Sequence, residues 1–216
     1  QKAGRLLGMD VMVMNFSNEA WAIEYEDKTI MEGLRSEHVK EAAQVVSQYC
    51  DVVGIRAFAT LTDKEKDESE QVLQSFIKYA TVPILNMESA TAHPLQALAD
   101  ALTLTELSLP KKSKVVLTWA PHPKSLPHAV GNSFARMMGH IDAEFIIANP
   151  EGYDLDPRIT KGVKVVHNQD ESLKDADVVY AKNWSSYDSY GQILRIDNNW
   201  MFTPEKMAKT NNAAFM

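Results

Sequence analysis

The sequence predicts an α/β protein made of two doubly wound parallel-sheet domains that are joined by a long interdomain helix. The first observation behind this prediction is the alternation of short strand-like runs with amphipathic helical runs. The second is the Val- and Ile-rich composition of the strand-like runs, which is typical of parallel strands covered on both faces. The third is the length, because 216 residues suffice for two domains of about 100 residues each.

The predicted elements follow one another with short connections, as strand–helix–strand units with right-handed crossovers require. We expect strands at Asp10–Asn15, Val52–Arg56, Val82–Met87, Lys114–Trp119, Glu144–Ala148, Val163–His167 and Asp177–Ala181. We expect helices at Gln1–Leu7, Glu37–Tyr49, Glu68–Tyr79, Leu95–Leu107, Pro127–Met138 and Glu171–Lys174. The Leu-Pro-Lys-Lys-Ser segment after the long helix suggests a domain boundary, with residues 1–108 in one domain and 109–216 in the other.

Composition excludes several classes of protein. The net charge of −7 argues against nucleic-acid binding, which depends on clustered basic residues. The single Cys50 excludes an internal disulfide and fits a reducing, cytoplasmic location. No apolar run approaches the roughly 20 residues of a membrane span, so no membrane partner is expected. The glycine-rich and cysteine-pair motifs of nucleotide-binding and redox sites do not occur, and we expect neither a cofactor nor a metal.

The segment His93-Pro94-Leu95-Gln96 lies between a predicted strand and the predicted long helix. A proline at the first helical position suits helix entry, and the backbone amides of a first turn lack partners within the helix. These amides and the positive end of the helix dipole form a seat for an anion. His93 and Gln96 are three residues apart, so both side chains can face one ligand. Ordinary helix capping would also explain this segment.

Other candidates follow predicted strands, because ligands of doubly wound folds bind outside the carboxyl ends of the strands. Arg56 can grip a phosphate or carboxylate, or can be an ordinary surface arginine. Glu88 is either a cation-binding group or a hydrogen-bond anchor for its loop. His122 lies in a loop stiffened by prolines, and a metal pair with His128 is the less favoured interpretation. Lys182 is either solvated or paired with a substrate carboxylate or carbonyl.

Together, three motifs resemble those of the carbamoyltransferases, the family that contains the aspartate and ornithine carbamoyltransferases. The motifs are Gly54-Ile55-Arg56-Ala57-Phe58, the run from Met87 to Gln96, and Tyr180-Ala181-Lys182-Asn183-Trp184. The resemblance spans essentially the whole chain. The Trp119–Pro123 loop and the segment around Lys182 resemble, more narrowly, the branch that acts on N-acylated ornithine.

The resemblance implies transfer of the carbamoyl group of carbamoyl phosphate to the δ-amine of an N-acylated ornithine, a step of arginine biosynthesis. It implies that carbamoyl phosphate is bound by Trp21, Arg56, His93, Pro94, Leu95 and Gln96, of which His93, Arg56 and Gln96 are catalytic. It assigns Glu88, Lys182 and His122 to the acylated ornithine. It also implies a homotrimer in which Trp21 reaches the site of a neighbouring subunit; a loop aromatic packed on its own domain is the alternative.

Two positions bear on the acceptor. Enzymes of the family that use free ornithine carry an Asp where this chain has Lys182, and a lysine would repel the α-ammonium of free ornithine by roughly 1–4 kcal/mol at about 4 Å. Acylation removes that charge. Ser36 aligns with a residue that is Glu in acetylornithine enzymes, and the smaller side chain leaves room for a succinyl carboxylate. N-succinylornithine is therefore favoured over N-acetylornithine. Ser36 can also be the N-cap of the predicted helix Glu37–Tyr49.

The resemblance further implies a Ser-x-Arg-Thr-Arg phosphate loop before Gln1 and a His-Cys-Leu-Pro segment after Met216. We therefore interpret the chain as an internal fragment and expect it to be inactive by itself. Two rival hypotheses stay open here. One is an ornithine or aspartate carbamoyltransferase, and the other is a non-catalytic binding or assembly subunit with the same fold.

Overall fold

The computed structural model describes residues 1–16, 22–194 and 198–216. Trp21 lies outside these described residues. The chain forms two compact units. Unit 1 comprises Gln1–Val53 and Gln71–Leu85, and unit 2 comprises Gly54–Glu70 and Asn86–Met216. These units divide the chain at other points than residue 108, and the predicted domain boundary there stays a prediction.

The helices and strands alternate along most of the chain. The helices are α1 Lys2–Leu6, α2 Val39–Val46, α3 Lys64–Ser69, α4 Gln71–Tyr79, α5 Pro94–Glu106, α6 Ala129–Met138, α7 Pro157–Thr160, α8 Gln169–Leu173 and α9 Pro204–Met207, with a short 3₁₀ turn at Asn198–Trp200. The strands are β1 Ile23–Glu24, β2 Glu37–His38, β3 Val53–Arg56, β4 Ile84–Glu88, β5 Lys114–Trp119, β6 Glu144–Ala148, β7 Lys164–Val166, β8 Val178–Lys182 and β9 Ala214–Phe215.

Unit 1 is a small helical layer with a short parallel strand pair. β1 pairs with β2, and α2 packs against α4. Both helices are amphipathic, so their apolar faces meet and exclude water. The buried apolar side chains of this unit are Ile23, Val39, Ala42, Ala43, Leu73 and Phe76.

Unit 2 contains a five-stranded parallel sheet in the order β7-β6-β5-β8-β9. Residues Val115–Trp119 of β5 are all buried, which agrees with the continuous apolar run from which this central strand was predicted. The register pairs Trp119 with Lys182, so the carboxyl ends of β5 and β8 lie side by side. An α/β fold with parallel sheets is thereby confirmed, while the arrangement of two doubly wound domains joined by α5 stays a prediction.

β3 and β4 form a two-stranded sheet. The backbone N–H of Ala57 donates to the carbonyl of Glu88 over 2.8 Å, so the ends of the two strands stay together. A Cβ at Gly54 would lie 2.7 Å from Sδ of Met87, so a larger residue there would displace this flexible side chain. The strand ends thus bring Arg56 and Glu88 to the same edge.

Three predicted elements differ from the structure by more than two residues at an end. The strand predicted at Asp10–Asn15 is wrong: this run has no regular secondary structure, and Met12 and Val13 are exposed rather than buried in a sheet. The helix predicted at Glu68–Tyr79 is interrupted at Glu70, whose φ of 49° is left-handed. The helix predicted at Glu37–Tyr49 is shorter, since Glu37–His38 form a strand.

Among the described residues, no helix is long and apolar enough to cross a lipid bilayer.

Candidate active site

The N-terminus of α5 is capped by a histidine. Pro94 occupies the first turn, as predicted, and Nδ1 of His93 accepts the backbone N–H of Gln96 over 3.3 Å. On a neutral ring the proton therefore lies on Nε2, because Nδ1 is used as an acceptor. Capping and ligand binding are thus compatible at His93: one nitrogen serves the helix and the other is a donor.

That donor nitrogen faces a carboxylate shared with an arginine. Nε2 of His93 lies 3.4 Å from Oε2 of Glu88, and the same oxygen accepts from Nε of Arg56 over 3.0 Å and from its Nη2 over 2.8 Å. The Glu88 side chain is only 9% exposed, whereas that of Arg56 is 57% exposed and stacks on the Phe58 ring. Three predicted site residues, Arg56, Glu88 and His93, are therefore in contact.

Gln96 faces an acid that was not among the sequence-based candidates. Its Nε2 donates to Oδ1 of Asp100 over 2.8 Å. Asp100 lies one turn further along α5 and is only 4% exposed. Burial raises the pKa of the Asp100 carboxyl, while the hydrogen bond from Gln96 and the positive charges of His93 and Lys182 act in the opposite direction. Asp100 therefore links the first turn of α5 electrostatically to the end of β8.

Lys182 ends β8, and its backbone carbonyl accepts the N–H of Ala120 over 3.0 Å. The neighbouring Asn183 donates to the carbonyl of Ala120 over 2.7 Å, which fastens the end of β8 to the loop after β5. His122 lies in that loop but is exposed, and its Nδ1 contacts the backbone of Lys124. The structure therefore does not bring His122 into contact with the cluster of Arg56, Glu88 and His93.

The loop before α5 is held by buried polar side chains. Oγ of Ser133 accepts the backbone N–H of His93 over 2.7 Å, and Nδ2 of Asn132 donates to the carbonyl of Thr91. Oε1 of Glu70 accepts from Ser89 and from Thr91, each over 2.6 Å. These bonds fix the path of the chain into the His93 cap.

Ser36 belongs to unit 1. It is exposed and lines a cavity of about 670 Å³ together with Asp27, His38, Lys40 and Tyr79. The expectation that Ser36 caps a helix beginning at Glu37 is wrong, because α2 begins at Val39 and its cap is His38, whose ring nitrogen accepts the N–H of Lys40.

Two groups that position this site were not predicted from the sequence. Asp100 follows Gln96 by four residues and His93 by seven, so an acid on the same helical face as two candidate residues was a detectable signal. The contact of Ser133 with His93 gives no local signal, because 40 residues separate the partners.

Among the described residues, no group of three or more His, Cys, Asp or Glu side chains could hold a metal ion. His128 is buried and its Nε2 contacts the carbonyl of Ser185 over 2.8 Å. It therefore serves the packing of unit 2 rather than a pair with His122.

A cationic strand end, a donor histidine at a helix N-terminus and a buried carboxylate, set on parallel strands, suit a transferase that handles an anionic acyl donor without covalent catalysis. The family model for the carbamoyl-phosphate-binding domain of aspartate/ornithine carbamoyltransferases matches residues 1–106. The chain belongs to the aspartate/ornithine carbamoyltransferase family, since a carbamoyltransferase relative is 46% identical and the chain covers 69% of that relative.

Several carbamoyltransferases are similar in sequence to this chain over nearly its whole length. An N-succinylornithine carbamoyltransferase of Bacteroides fragilis (strain 638R) is 46% identical over 100% of this chain and 69% of the relative. An N-acetylornithine carbamoyltransferase of Xanthomonas campestris pv. campestris is 38% identical over 97% of this chain and 68% of the relative. A glutamate-to-serine variant of an N-acetyl-L-ornithine transcarbamylase, solved with carbamyl phosphate and N-succinyl-L-norvaline, matches with a TM-score of 0.89 and 36% identity, over 99% of this chain and 70% of that structure.

Proposed function

We propose that this protein transfers the carbamoyl group of carbamoyl phosphate to the δ-amine of N-succinylornithine, giving N-succinylcitrulline and phosphate. The observation that carries the proposal is the Arg56–Glu88–His93 cluster, in a chain 46% identical to an N-succinylornithine carbamoyltransferase. Because the chain spans 69% of that relative, the experiments below use the complete open reading frame.

Carbamoyl phosphate is proposed to bind at the N-terminus of α5. Arg56 holds Glu88 through Nε and Nη2, so its Nη1 stays available for a phosphate oxygen. Pro94 has no N–H and Gln96 gives its own to the His93 cap, which leaves the amide of Leu95 as the first-turn donor for the ligand. Trp21 of a neighbouring subunit is proposed to complete this carbamoyl-phosphate site.

His93 is proposed to act as the electrophilic donor. The contact of 3.4 Å from its Nε2 to Glu88 is long for a hydrogen bond, so little is lost when the Nε2–H donates to the carbamoyl oxygen instead. That oxygen gains negative charge as the neutral δ-amine forms the new C–N bond, and a donor placed there lowers the barrier. The C–O bond to phosphate then breaks, and phosphate takes up the proton that the amine loses.

The acceptor is proposed to lie beside Glu88 and Lys182. Glu88 faces the δ-amine, while the Lys182 ammonium pairs with the α-carboxylate or acyl carbonyl of an acylated ornithine. Free ornithine would bring its α-ammonium to this lysine and be repelled. His122 is proposed to reach the acceptor only when the loop after β5 changes its conformation, since it contacts Lys124 in the structure.

Ser36 is proposed to set the preference for succinyl over acetyl. In the solved N-acetyl-L-ornithine transcarbamylase variant, serine in place of a glutamate accompanies binding of N-succinyl-L-norvaline. That pairing supports the same role for Ser36, whose side chain carries no charge to repel the succinyl carboxylate. The protein is further proposed to consist of two doubly wound domains joined by α5 and to assemble as a trimer, which sedimentation analysis of the complete protein can test.

The test is a phosphate-release assay with carbamoyl phosphate and four acceptors: N-succinylornithine, N-acetylornithine, ornithine and aspartate. We expect turnover with N-succinylornithine above all others and none with ornithine or aspartate. Ser36→Glu should lower kcat/KM for N-succinylornithine by about tenfold or more, because a like charge at close range costs more than about 1 kcal/mol. Ser36→Gln is the matched control, since it has the size of the glutamate without its charge.

Activity with free ornithine or aspartate would contradict the acceptor assignment and leave the family intact. Absence of turnover with all four acceptors would favour a non-catalytic subunit. Equal effects of Ser36→Glu and Ser36→Gln would show that size, and not charge, matters at this position.

A further inference from the structure

Asp100 is a buried acid whose role the proposed function does not yet explain. It is 4% exposed, and its Oδ1 accepts the Nε2–H of Gln96 over 2.8 Å. Its Oδ2 is also buried and has no hydrogen-bond partner within the described part of the chain. A half-satisfied buried carboxylate costs stability, so its presence calls for a functional explanation.

The contact with Gln96 decides which way the glutamine amide points. A carboxylate accepts hydrogen bonds and donates none, so it can hold only the NH₂ side of an amide. Once Nε2 of Gln96 is bound to Asp100, Oε1 must be the end that faces away from it. The side chain of Gln96 is thereby fixed as an acceptor.

An acceptor at this position has a chemical consequence for the donor substrate. The carbamoyl group carries an NH₂ that only donates, whereas an acetyl group carries a methyl that does neither. The opposite amide orientation would set the NH₂ of Gln96 against the NH₂ of the substrate, and two donors cannot pair. Burial raises the pKa of the Asp100 carboxyl, whereas the hydrogen bond from Gln96 and the charge of Lys182 favour the carboxylate form that this orientation needs.

We propose that Asp100 is a positioning residue that fixes the amide of Gln96 as a hydrogen-bond acceptor and thereby makes the site select a carbamoyl over an acetyl phosphate group. This inference rests on the proposed function, because it assumes that Gln96 meets the carbamoyl NH₂. Asp100 acts through Gln96 and does not touch the substrate.

The test compares two stable phosphonates that differ only at the critical position. Phosphonoacetamide carries the NH₂ of carbamoyl phosphate, and 2-oxopropylphosphonate carries a methyl in its place. Isothermal titration of the complete protein gives the affinity ratio of the amide over the ketone. We expect a ratio of about ten for the wild type and near one for Gln96→Ala, because a single hydrogen bond is lost.

Asp100→Asn should lower the ratio by about two- to fivefold, because an asparagine permits both orientations of the Gln96 amide. In the Gln96→Ala background, Asp100→Asn should not change the affinity ratio further, as expected when one residue acts only through the other. Glu106→Gln is the control, since Glu106 lies on the same helix and is exposed. Its ratio should equal that of the wild type.

An exchange of the two side chains guards against a folding defect of the single variant. The Gln96→Glu, Asp100→Asn double variant conserves both charge and volume. Its new asparagine pairs with the new carboxylate by donating its NH₂, because a carboxylate only accepts. The second oxygen of that carboxylate then faces the ligand as an acceptor. The ratio should return to the wild-type value even where both affinities fall.

The outcomes separate this inference from the proposed function. A wild-type ratio near one would overturn this inference together with the assumption that Gln96 meets the carbamoyl NH₂. A wild-type ratio of about ten that Asp100→Asn leaves unchanged, or equal weakening of both ligands by Asp100→Asn, would overturn the role of Asp100 alone.

Discussion

In the proposed mechanism, the His93 side chain serves both folding and catalysis. Its Nδ1 caps α5 and its Nε2 carries the proton that faces Glu88. His93→Asn should keep the cap, because asparagine is a good N-cap, and lose the donor. His93→Ala should lose both. We expect both variants to lower kcat by about 10²–10³-fold, and only the alanine variant to lose about 1 kcal/mol of the free energy of unfolding.

Urea denaturation and steady-state kinetics on the complete protein measure these two losses separately. Full turnover by His93→Asn would rule out the electrophilic role of Nε2. An equal loss of stability in the two variants would rule out the cap as the source of the difference.

His128 is a buried histidine whose titration should affect stability. Burial lowers the pKa of His128, and its Nε2 contacts the carbonyl of Ser185. The unfolded chain therefore binds a proton at a higher pH than the folded protein does. The contribution of His128 is fully present above the unfolded pKa of about 6.5, and it is lost as pH falls below that value.

His128 should contribute to the slope of the unfolding free energy against pH. Between about pH 7 and 5 the wild type should lose up to about 1.4 kcal/mol per pH unit from this residue. His128→Gln keeps an N–H donor for Ser185 and should flatten the slope, as measured by urea denaturation across this range. Nearby Lys64 lowers the pKa further, while Asp156 and Glu68 raise it. An unchanged slope in His128→Gln would show that another group titrates.

At the scale of elements, the segment after β8 is fastened to α3 and the turn before it. Tyr190 donates to Oδ2 of Asp67 over 2.8 Å, and Tyr187 donates to Oε1 of Glu68 over 2.9 Å. Gly191, in the same segment, has a φ of +72° and approaches the backbone of Leu61 closely. A Cβ at Gly191 would overlap the carbonyl oxygen of Leu61.

A pair of glycine substitutions isolates that packing contact. Gly162 also has a positive φ, of +83°, but a Cβ there would meet nothing within 4 Å. Gly162→Ala should cost about 1 kcal/mol of unfolding free energy from backbone strain alone. Gly191→Ala should cost at least about 3 kcal/mol, because strain and a backbone clash add. Urea denaturation measures both losses, and equal values would show that the segment after β8 does not need the close approach to Leu61.

Elements were predictable from the sequence where burial follows from a local pattern. The strands Lys114–Trp119 and Glu144–Ala148 have the predicted bounds, because continuous apolar runs lie in the centre of a parallel sheet. The run Asp10–Asn15 has a similar composition and forms no strand. The break between α3 and α4 was not predictable, since Glu70 is held there by Ser89 and Thr91.

The site was predictable where strand ends and a helix N-terminus meet. Arg56, Glu88 and His93 come together because parallel strands bring their carboxyl ends to one edge. The contact of Ser133 with His93 depends on packing between distant parts of the chain and leaves no local signal in the sequence, whereas the i,i+4 spacing of Gln96 and Asp100 was a detectable signal.

For the whole molecule, the proposed reaction depends on the preorganised polar cluster of Arg56, Glu88 and His93, in which no side chain acts as a nucleophile. The acceleration then comes from alignment of two substrates and from donors aimed at developing charge. Selection of the acceptor is proposed to come from Lys182, which would favour an α-nitrogen without charge. Family membership alone permits several acceptors, so acceptor selection is the central claim.

The most direct measurement is a competition between N-succinylornithine and ornithine for ¹³C-labelled carbamoyl phosphate, with products read by ¹³C NMR on the complete protein. With the two acceptors at equal concentration, we predict labelled N-succinylcitrulline as the main product and labelled citrulline at no more than about a tenth of it, which is the discrimination that roughly 1.4 kcal/mol provides. Labelled citrulline as the main product would contradict the selection of an acylated acceptor by Lys182.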